Sequence, residues 1–190
     1  MSDPIIRDAV AGDFPAIASL YAHHVHTGLA SFEEVPPSAD EMQRRYHHVR
    51  ARGLPWRVAE LHGRVVGYCY ASPFNPRSAY RFTVQDSIYV AEDCIGRGVG
   101  ARLLQPVIDG CTALGYRQMM AVVGDSGNEA SLRLHARLGF RTIGQALRVG
   151  VKFGRWVDIV YLQRPLGEQT ARPPAEDPIG YIAVADQTGP

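Results

Sequence analysis

The sequence predicts a mixed α/β domain, a central twisted and mostly antiparallel sheet of about seven strands flanked by about four helices. Three observations predict it. Stretches with period-2 apolar alternation are interleaved with stretches of helical period. Most strand-like stretches follow one another directly, which favours antiparallel neighbours over the strict alternation of a doubly wound sheet. The chain has 190 residues, 46% of them hydrophobic, which is enough to bury one core.

Residues 4–9 read as a short strand. In "GDFPAIASLYAHHV", Asp13 is a candidate N-cap, Pro15 falls in the first turn, and Phe14, Ile17, Ala18, Tyr21 and Val25 share one face, so a helix follows. "TGLASFEEVPP" is rich in turn residues. Ser38 and Glu41 then form an S-x-x-E capping box ahead of a second helix carrying Met42, Tyr46 and Val49. "WRVAEL", the turn His62-Gly63 and "RVVGYCYASPF" read as a hairpin. "AYRFTVQDSIYV" reads as a long strand that runs into a glycine-rich stretch. A helix to about Leu114, the strand "RQMMAVVG", a short helix over 128–138 closed by Gly139, and strands around 140–149 and 155–163 complete the order. From Pro165 the composition turns to Pro, Gly and charge, which sets the domain at 1–164 and a loosely ordered tail at 165–190. Within it, "GYIAV" could pair with a sheet edge.

Twenty basic against nineteen acidic residues leave a net charge of +1, so bulk charge points to neither nucleic acid nor a membrane surface as partner. Cys69, Cys94 and Cys111 show no CxxC spacing, and "MSDPIIRDAV" has no signal-like segment, which makes a reducing cytoplasm the default expectation. No apolar run approaches the roughly 20 residues of a membrane span.

The segment "CIGRGVGARLLQPV" places Gly96, Gly98 and Gly100 with Arg97 and Arg102 directly before a helix. A strand, a glycine turn and a helix N-terminus together form an anion site, because backbone N–H groups point outward at the positive end of the helix dipole. A tight turn with solvated arginines is the plainer reading. A P-loop would require Lys-Ser/Thr after the last glycine, where Ala101-Arg102 stand, and a dinucleotide fold would place the turn after the first strand rather than the fourth.

"IGRGVGARLL" followed by "GDSGNEASLRLHARLGF" resembles the acetyl-CoA-binding core of the GNAT N-acetyltransferase superfamily, whose first motif reads Q/R-x-x-G-x-G/A. Ile95 stands where that motif has Gln or Arg. "TGLASFEEVPP", "PWRVAE", "VVGYCYASPF", "AYRFTVQDSIYV", "LHARLGF" and "VGVKFGRWVDIVYLQRPL" extend the resemblance to the phosphinothricin and methionine sulfoximine acetyltransferase branch over nearly all of residues 1–164. The resemblance implies acetyl transfer from acetyl-CoA to the α-amine of a small amino-acid-like acid, without a metal, in a homodimer. A GNAT enzyme for another primary amine, such as a peptide N-terminus or polyamine, and a non-catalytic acyl-CoA-binding module are the alternatives.

The resemblance also implies site residues. The coenzyme would lie against Tyr89, Val90, Ile95, Gly96, Arg97, Gly98, Val99, Gly100, Ala101 and Arg102, with Asn128 and Ser131 along its pantetheine arm. A backbone N–H at Val90 or its neighbour would polarise the thioester carbonyl. His135, four residues before Gly139, holds the position of the general acid. Gln85 stands where the branch carries a glutamate base, and a carboxamide takes no proton at neutral pH. Alternation along the strand sends the adjacent Asp86 to the opposite face. Amine deprotonation through water, His135 as base, and a weakened enzyme remain open. Phe32 and Glu33 on the "ASFEE" loop, with Arg77, Tyr80 and Arg81, are substrate-binding candidates, and Trp156 is a candidate for a pocket wall or a dimer contact. "HHVH" and "YHHV" invite a metal reading that no cysteine or carboxylate cluster completes.

Overall fold

The computed structural model describes residues 3–170 and 172–182. The seven-stranded sheet has the order β1-β2-β3-β4-β5-β7-β6. Its elements are β1 (Ile5–Asp8), α1 (Phe14–Thr27), α2 (Ala39–Arg50), β2 (Trp56–Leu61), β3 (Arg64–Pro73), β4 (Thr83–Val90), α3 (Val99–Ala113), β5 (Gln118–Gly124), α4 (Glu129–Arg137), β6 (Arg141–Lys152) and β7 (Arg155–Pro165). All neighbours are antiparallel except β4 and β5, which the α3 crossover makes parallel.

The helices divide between the two faces according to the alternation of the central strands. Trp56, Tyr68 and Tyr70 form a stacked aromatic layer, with Trp56 and Tyr70 centroids 4.0 Å apart. Phe14 of α1 and Tyr46 of α2 close on it edge-on. Gly67, which alternates with Tyr68, faces α3. A Cβ there would lie 2.9 Å from Leu103 Cδ1, so the missing side chain lets α3 settle on β3.

Several local expectations change in detail. Asp13 stands at the N-cap of α1 but makes no cap bond. Its carboxylate accepts from Val10 N at 2.8 Å and from both Arg7 Nη atoms, and Arg7 also reaches Glu60, so the charge ties β1, β2 and the helix entry together. Ser38 caps α2 by accepting from Glu41 N, whereas the Glu41 carboxylate goes to Arg44 and Arg45 rather than closing the box. The expected long strand over 79–90 begins only at Thr83. Ser78–Tyr80 form a 3-10 turn, with Tyr80 packed against Phe74. Strand β6 runs on to Lys152 before the Phe153-Gly154 turn.

In the segment after β7, Leu166 is buried, Asp177 pairs with Arg81 at 2.6 Å, and Ile179 N donates to Leu114 O. Of the "GYIAV" patch, residues 180–182 form no strand, and Ala183 and Val184 lie outside the described residues. No helix among the described residues is long and apolar enough to cross a membrane.

Candidate active site

Strands β4 and β5 pair through only three rungs, Thr83 with Gln118, Val84 with Met119 and Gln85 with Met120. Beyond Gln85 they part, while β4 stays paired to β3 as far as Val90 and β5 to β7 as far as Gly124. The result is a gap inside the sheet, flanked by two edges of unpaired peptide groups. Thr83 O accepts from Phe74 N and Ala91 N donates to Val66 O, so the odd-numbered residues of β4 turn their peptide groups to β3. By alternation Asp86, Ile88 and Val90 turn theirs to the gap. Past Asp86 this edge is half-buried, and an extended amide-bearing chain is the partner an open strand edge accepts. One of these groups is already engaged, since His24 of α1 places Nε2 3.0 Å from Val90 O. A carbonyl only accepts, so Nε2 carries the hydrogen. Burial lowers the His24 pKa and keeps the ring neutral.

At its end β4 leads into the glycine turn. Gly96 (φ 79°) and Gly98 (φ 78°) are both left-handed, and Gly98 is the N-cap of α3. Among the described residues nothing lies within 4 Å of where a Cβ on Gly98 would stand, so backbone conformation, not crowding, demands the glycine. Residues 95–98 are exposed, which leaves the first N–H groups of α3 open to an anion. Gly100 serves differently: a Cβ there would lie 2.9 Å from Leu134 Cδ2, so this glycine seats α3 against α4. Arg97 is exposed beside the turn, and Arg102 pairs with Asp3 at 2.8 Å. Helix α4 borders the other side of the gap. The Asn128 side chain caps it by accepting from Ser131 N, and Ser131 Oγ lies 3.4 Å from His135 Nδ1.

The two faces of β4 present different chemistry. Gln85, Ser87 and Tyr89 face α1 and α2. Tyr89 packs edge-on against Tyr21 with centroids 4.8 Å apart and also contacts Tyr68. Burial raises the phenols of Tyr21, Tyr70 and Tyr89, and the nearby Glu33 charge pushes in the same direction, so all three stay neutral. Asp86 points to the opposite face, where its Oδ2 lies 3.1 Å from His135 Nε2. His135 is 2% and Asp86 5% exposed. His135 Nδ1 is 2.8 Å from Ser131 O, so both ring nitrogens face acceptors. Burial pulls the His135 pKa down, but the hydrogen bond and charge of Asp86, with the Ser131 carbonyl, outweigh it and hold the value above the ordinary one.

The 27–33 segment covers the gap from the α1 side. Tyr21 and Ser31 hydroxyls meet at 2.8 Å, and the buried Lys152 ammonium donates to Ser31 O at 2.7 Å. Glu33 pairs with Arg45 of α2 at 2.7 Å. Two glycines let the segment lie close. A Cβ on Gly124 would stand 2.7 Å from the Leu29 and Ala30 carbonyl oxygens, and one on Gly150 would collide with the Phe32 ring. Gly124→Ala is therefore expected to lift residues 29–32 at a cost of about 1–3 kcal/mol. The loss should show as a lower melting temperature and faster limited proteolysis within 27–33. An unchanged melting curve and cleavage rate would mean that the segment is not seated on β5.

The structure thus gathers residues 85–90, 95–102 and 128–135, with 27–33 above them, around one gap. The 77–81 group stands at the start of β4, three paired rungs from it. There Arg81 is tied to Asp177, Tyr80 to Phe74, and Arg77 is exposed. Trp156 is 64% exposed on β7. Among the described residues no group of three or more His, Cys, Asp or Glu side chains could hold a metal ion, and His23 instead lies 3.3 Å from Glu92.

The sequence pattern of the Acetyltransferase (GNAT) family matches residues 17–140. The chain belongs to the GNAT acetyltransferase family. It is 55% identical over 162 residues to a phosphinothricin N-acetyltransferase of Alcaligenes faecalis, a match covering 85% of this chain and 81% of that one. It is 38% identical over 169 residues to an L-methionine sulfoximine/L-methionine sulfone acetyltransferase of Pseudomonas aeruginosa, covering 88% and 98% of the two chains. The crystal structure of a GNAT superfamily phosphinothricin acetyltransferase from Sinorhizobium meliloti in complex with AcCoA has a TM-score of 0.90 to this fold at 42% identity, covering 97% of this chain and 100% of that one.

Within this GNAT fold, sequence reasoning missed His24 on Val90 O, the Asp86–His135 pair, Arg45 on Glu33, and the paired glycines under the cover segment. The Asp86 contact joins residues 49 apart. Only the placement of α4 against β4 creates it, and no local pattern announces it. Gly124 and Gly150, by contrast, are glycines inside strand patterns, which is a legible signal of close backbone approach.

Proposed function

We propose that the protein transfers the acetyl group of acetyl-CoA directly to the α-amine of a small amino-acid-like acid of the phosphinothricin or methionine sulfoximine kind. The observation that carries this reading is the open β4 edge from Asp86 to Val90, which one 3-10 turn at Glu92–Cys94 joins to the left-handed glycines at the head of α3. That edge suits the amides of a pantetheine arm and the turn suits a pyrophosphate. The fit rests on the gap-facing peptide groups of Asp86 and Ile88, the N–H of Val90 and the uncrowded Gly98. Acetyl-CoA supplies the activated thioester. Residues 95–100 and the first N–H groups of α3 hold the pyrophosphate, Asn128 and Ser131 border the arm, and the N–H of Ile88 or Val90 faces the gap to polarise a carbonyl.

The amine approaches from the face bearing Gln85, Ser87 and Tyr89, beneath Phe32 and Glu33. Tyr21, Tyr70 and Tyr89 are neutral phenols there, Gln85 takes no proton, Glu33 is tied to Arg45, and His135 lies on the other face of β4. In this reading water carries the amine proton, and His135 returns a proton to the departing thiolate. Gln85→Glu is expected to raise kcat near pH 7 by about tenfold or more, the lower end of what a positioned base contributes being larger still. Equal rates would show that water suffices. A non-catalytic module would bind acetyl-CoA and release no thiol with any amine, so a thiol-release assay decides between enzyme and module.

A homodimer is part of the proposal. Ile143, Leu147, Val149, Val151 and Phe153 on β6 and its turn, with Trp156 on β7, expose large apolar side chains along the sheet edge. Such a patch on an edge strand is a surface that a second copy covers. Light scattering should give about twice the 20.9 kDa chain mass, and Val151→Asp combined with Trp156→Asp should give the monomer. A monomeric wild type at assay concentrations would remove the dimer.

A further inference from the structure

We propose that Asp86 is a positioning residue for the transfer: from the buried face of β4 it orients the His135 ring and keeps both ring nitrogens protonated beside the gap. This rests on the acetyl-transfer reading above. Three observations carry it. His135 presents Nδ1 to the Ser131 carbonyl at 2.8 Å, with the Ser131 hydroxyl farther off at 3.4 Å, and Nε2 to Asp86 Oδ2 at 3.1 Å, and a ring carrying two hydrogens satisfies both acceptors. The groups facing Asp86 from the other elements are the thiols of Cys69 on β3 and Cys111 on α3, both pushed up by burial and hence neutral, so the positive charge opposite the carboxylate is that of His135. On the His135 side, the Phe140 ring packs edge-on at 5.0 Å and brings no charge.

The pair is also not built as a purely structural staple would be. Among the described residues the buried Asp86 Oδ1 has no hydrogen-bond partner, a cost that native cores avoid and functional sites retain. Nε2 meets the carboxylate at 3.1 Å and Nδ1 the Ser131 carbonyl at 2.8 Å, so the carboxylate acts on Nε2. In the transfer the Nε2–H bond breaks, its proton forms the S–H bond of the departing thiol, and the ring is left neutral with Nδ1–H still on Ser131 O. A proton from water then restores the imidazolium. Asp86 is the first residue past the last β4–β5 rung, so its backbone stands at the apex of the gap.

The test reads protonation separately from turnover. In protein labelled with 15N-histidine and free of coenzyme, His135, assigned by loss of its signal in His135→Ala, should lose its second ring proton at a higher pH in the wild type than in Asp86→Asn. The same variant should lose at least tenfold in kcat, keep its acetyl-CoA dissociation constant within about threefold, and show the alkaline fall of kcat at lower pH than the wild type. A wild-type His135 that titrates at or below the ordinary histidine value overturns the proposal without any variant. So does Asp86→Asn with wild-type kcat and pH profile, whatever its melting temperature. A wild type that acetylates no amine sinks the transfer reading, and the ring-nitrogen comparison still shows whether Asp86 sets the state of His135.

Discussion

His135→Ala is expected to lower kcat by about 10²-fold or more, the usual scale of a positioned acid or base, while acetyl-CoA binding survives because the glycine turn holds the pyrophosphate at the far end of the gap. The same change strands Asp86 in the core without its partner, and breaking a buried pair costs about 3–5 kcal/mol. Both numbers are needed from one preparation, kcat on the best amine and a melting curve. A folded His135→Ala protein with undiminished kcat from pH 6 to 9 would leave water as the only proton carrier. The stability loss has its own pH dependence. The folded His135 pKa is raised, so the protonated ring favours the fold. That contribution is complete below the ordinary histidine value of about 6.5 and fades as pH climbs through the raised value. The gap in melting temperature between wild type and variant should narrow on the alkaline side.

Gly98→Val should weaken acetyl-CoA binding by roughly five- to thirtyfold, because a β-branched residue held at positive φ costs about 1–2 kcal/mol or forces the turn out of its anion-binding shape. The KM for the amine should move much less. Gly100→Ala separates turn from packing. Its Cβ would press on Leu134, so the loss should appear as thermal stability before affinity. Isothermal titration with acetyl-CoA and a melting curve on the two variants check the division. Equal affinity in Gly98→Val and the wild type would remove the turn from the coenzyme site.

What the sequence reveals and what it conceals follow the range of the interactions. The glycine turn is legible because every part of it lies within nine consecutive residues, and strand alternation alone puts Asp86 opposite Gln85. Where Asp86 then goes depends on where α4 packs, which no periodicity contains. Asp13 shows the same limit at short range. Its position marks a cap, yet two ion-pairing hydrogen bonds from Arg7 outcompete the helix N-terminus for its oxygens. The strand expected from Ala79 fails until Thr83, since Tyr80 finds Phe74 and the chain turns there. Pairing between β4 and β5 stops after Gln85, and residue propensities give no sign of it, because Asp86 to Val90 read as strand whether or not a second strand lies beside them.

The most direct test of the central claim is coenzyme A release from acetyl-CoA by the purified protein across phosphinothricin, methionine sulfoximine, common amino acids, polyamines and short peptides, with the product's acetyl position read by mass fragmentation. The account predicts sustained release with phosphinothricin or methionine sulfoximine and an acetyl group on the α-nitrogen. Release with polyamines or peptides alone, or tight acetyl-CoA binding with no release on any amine, would contradict it.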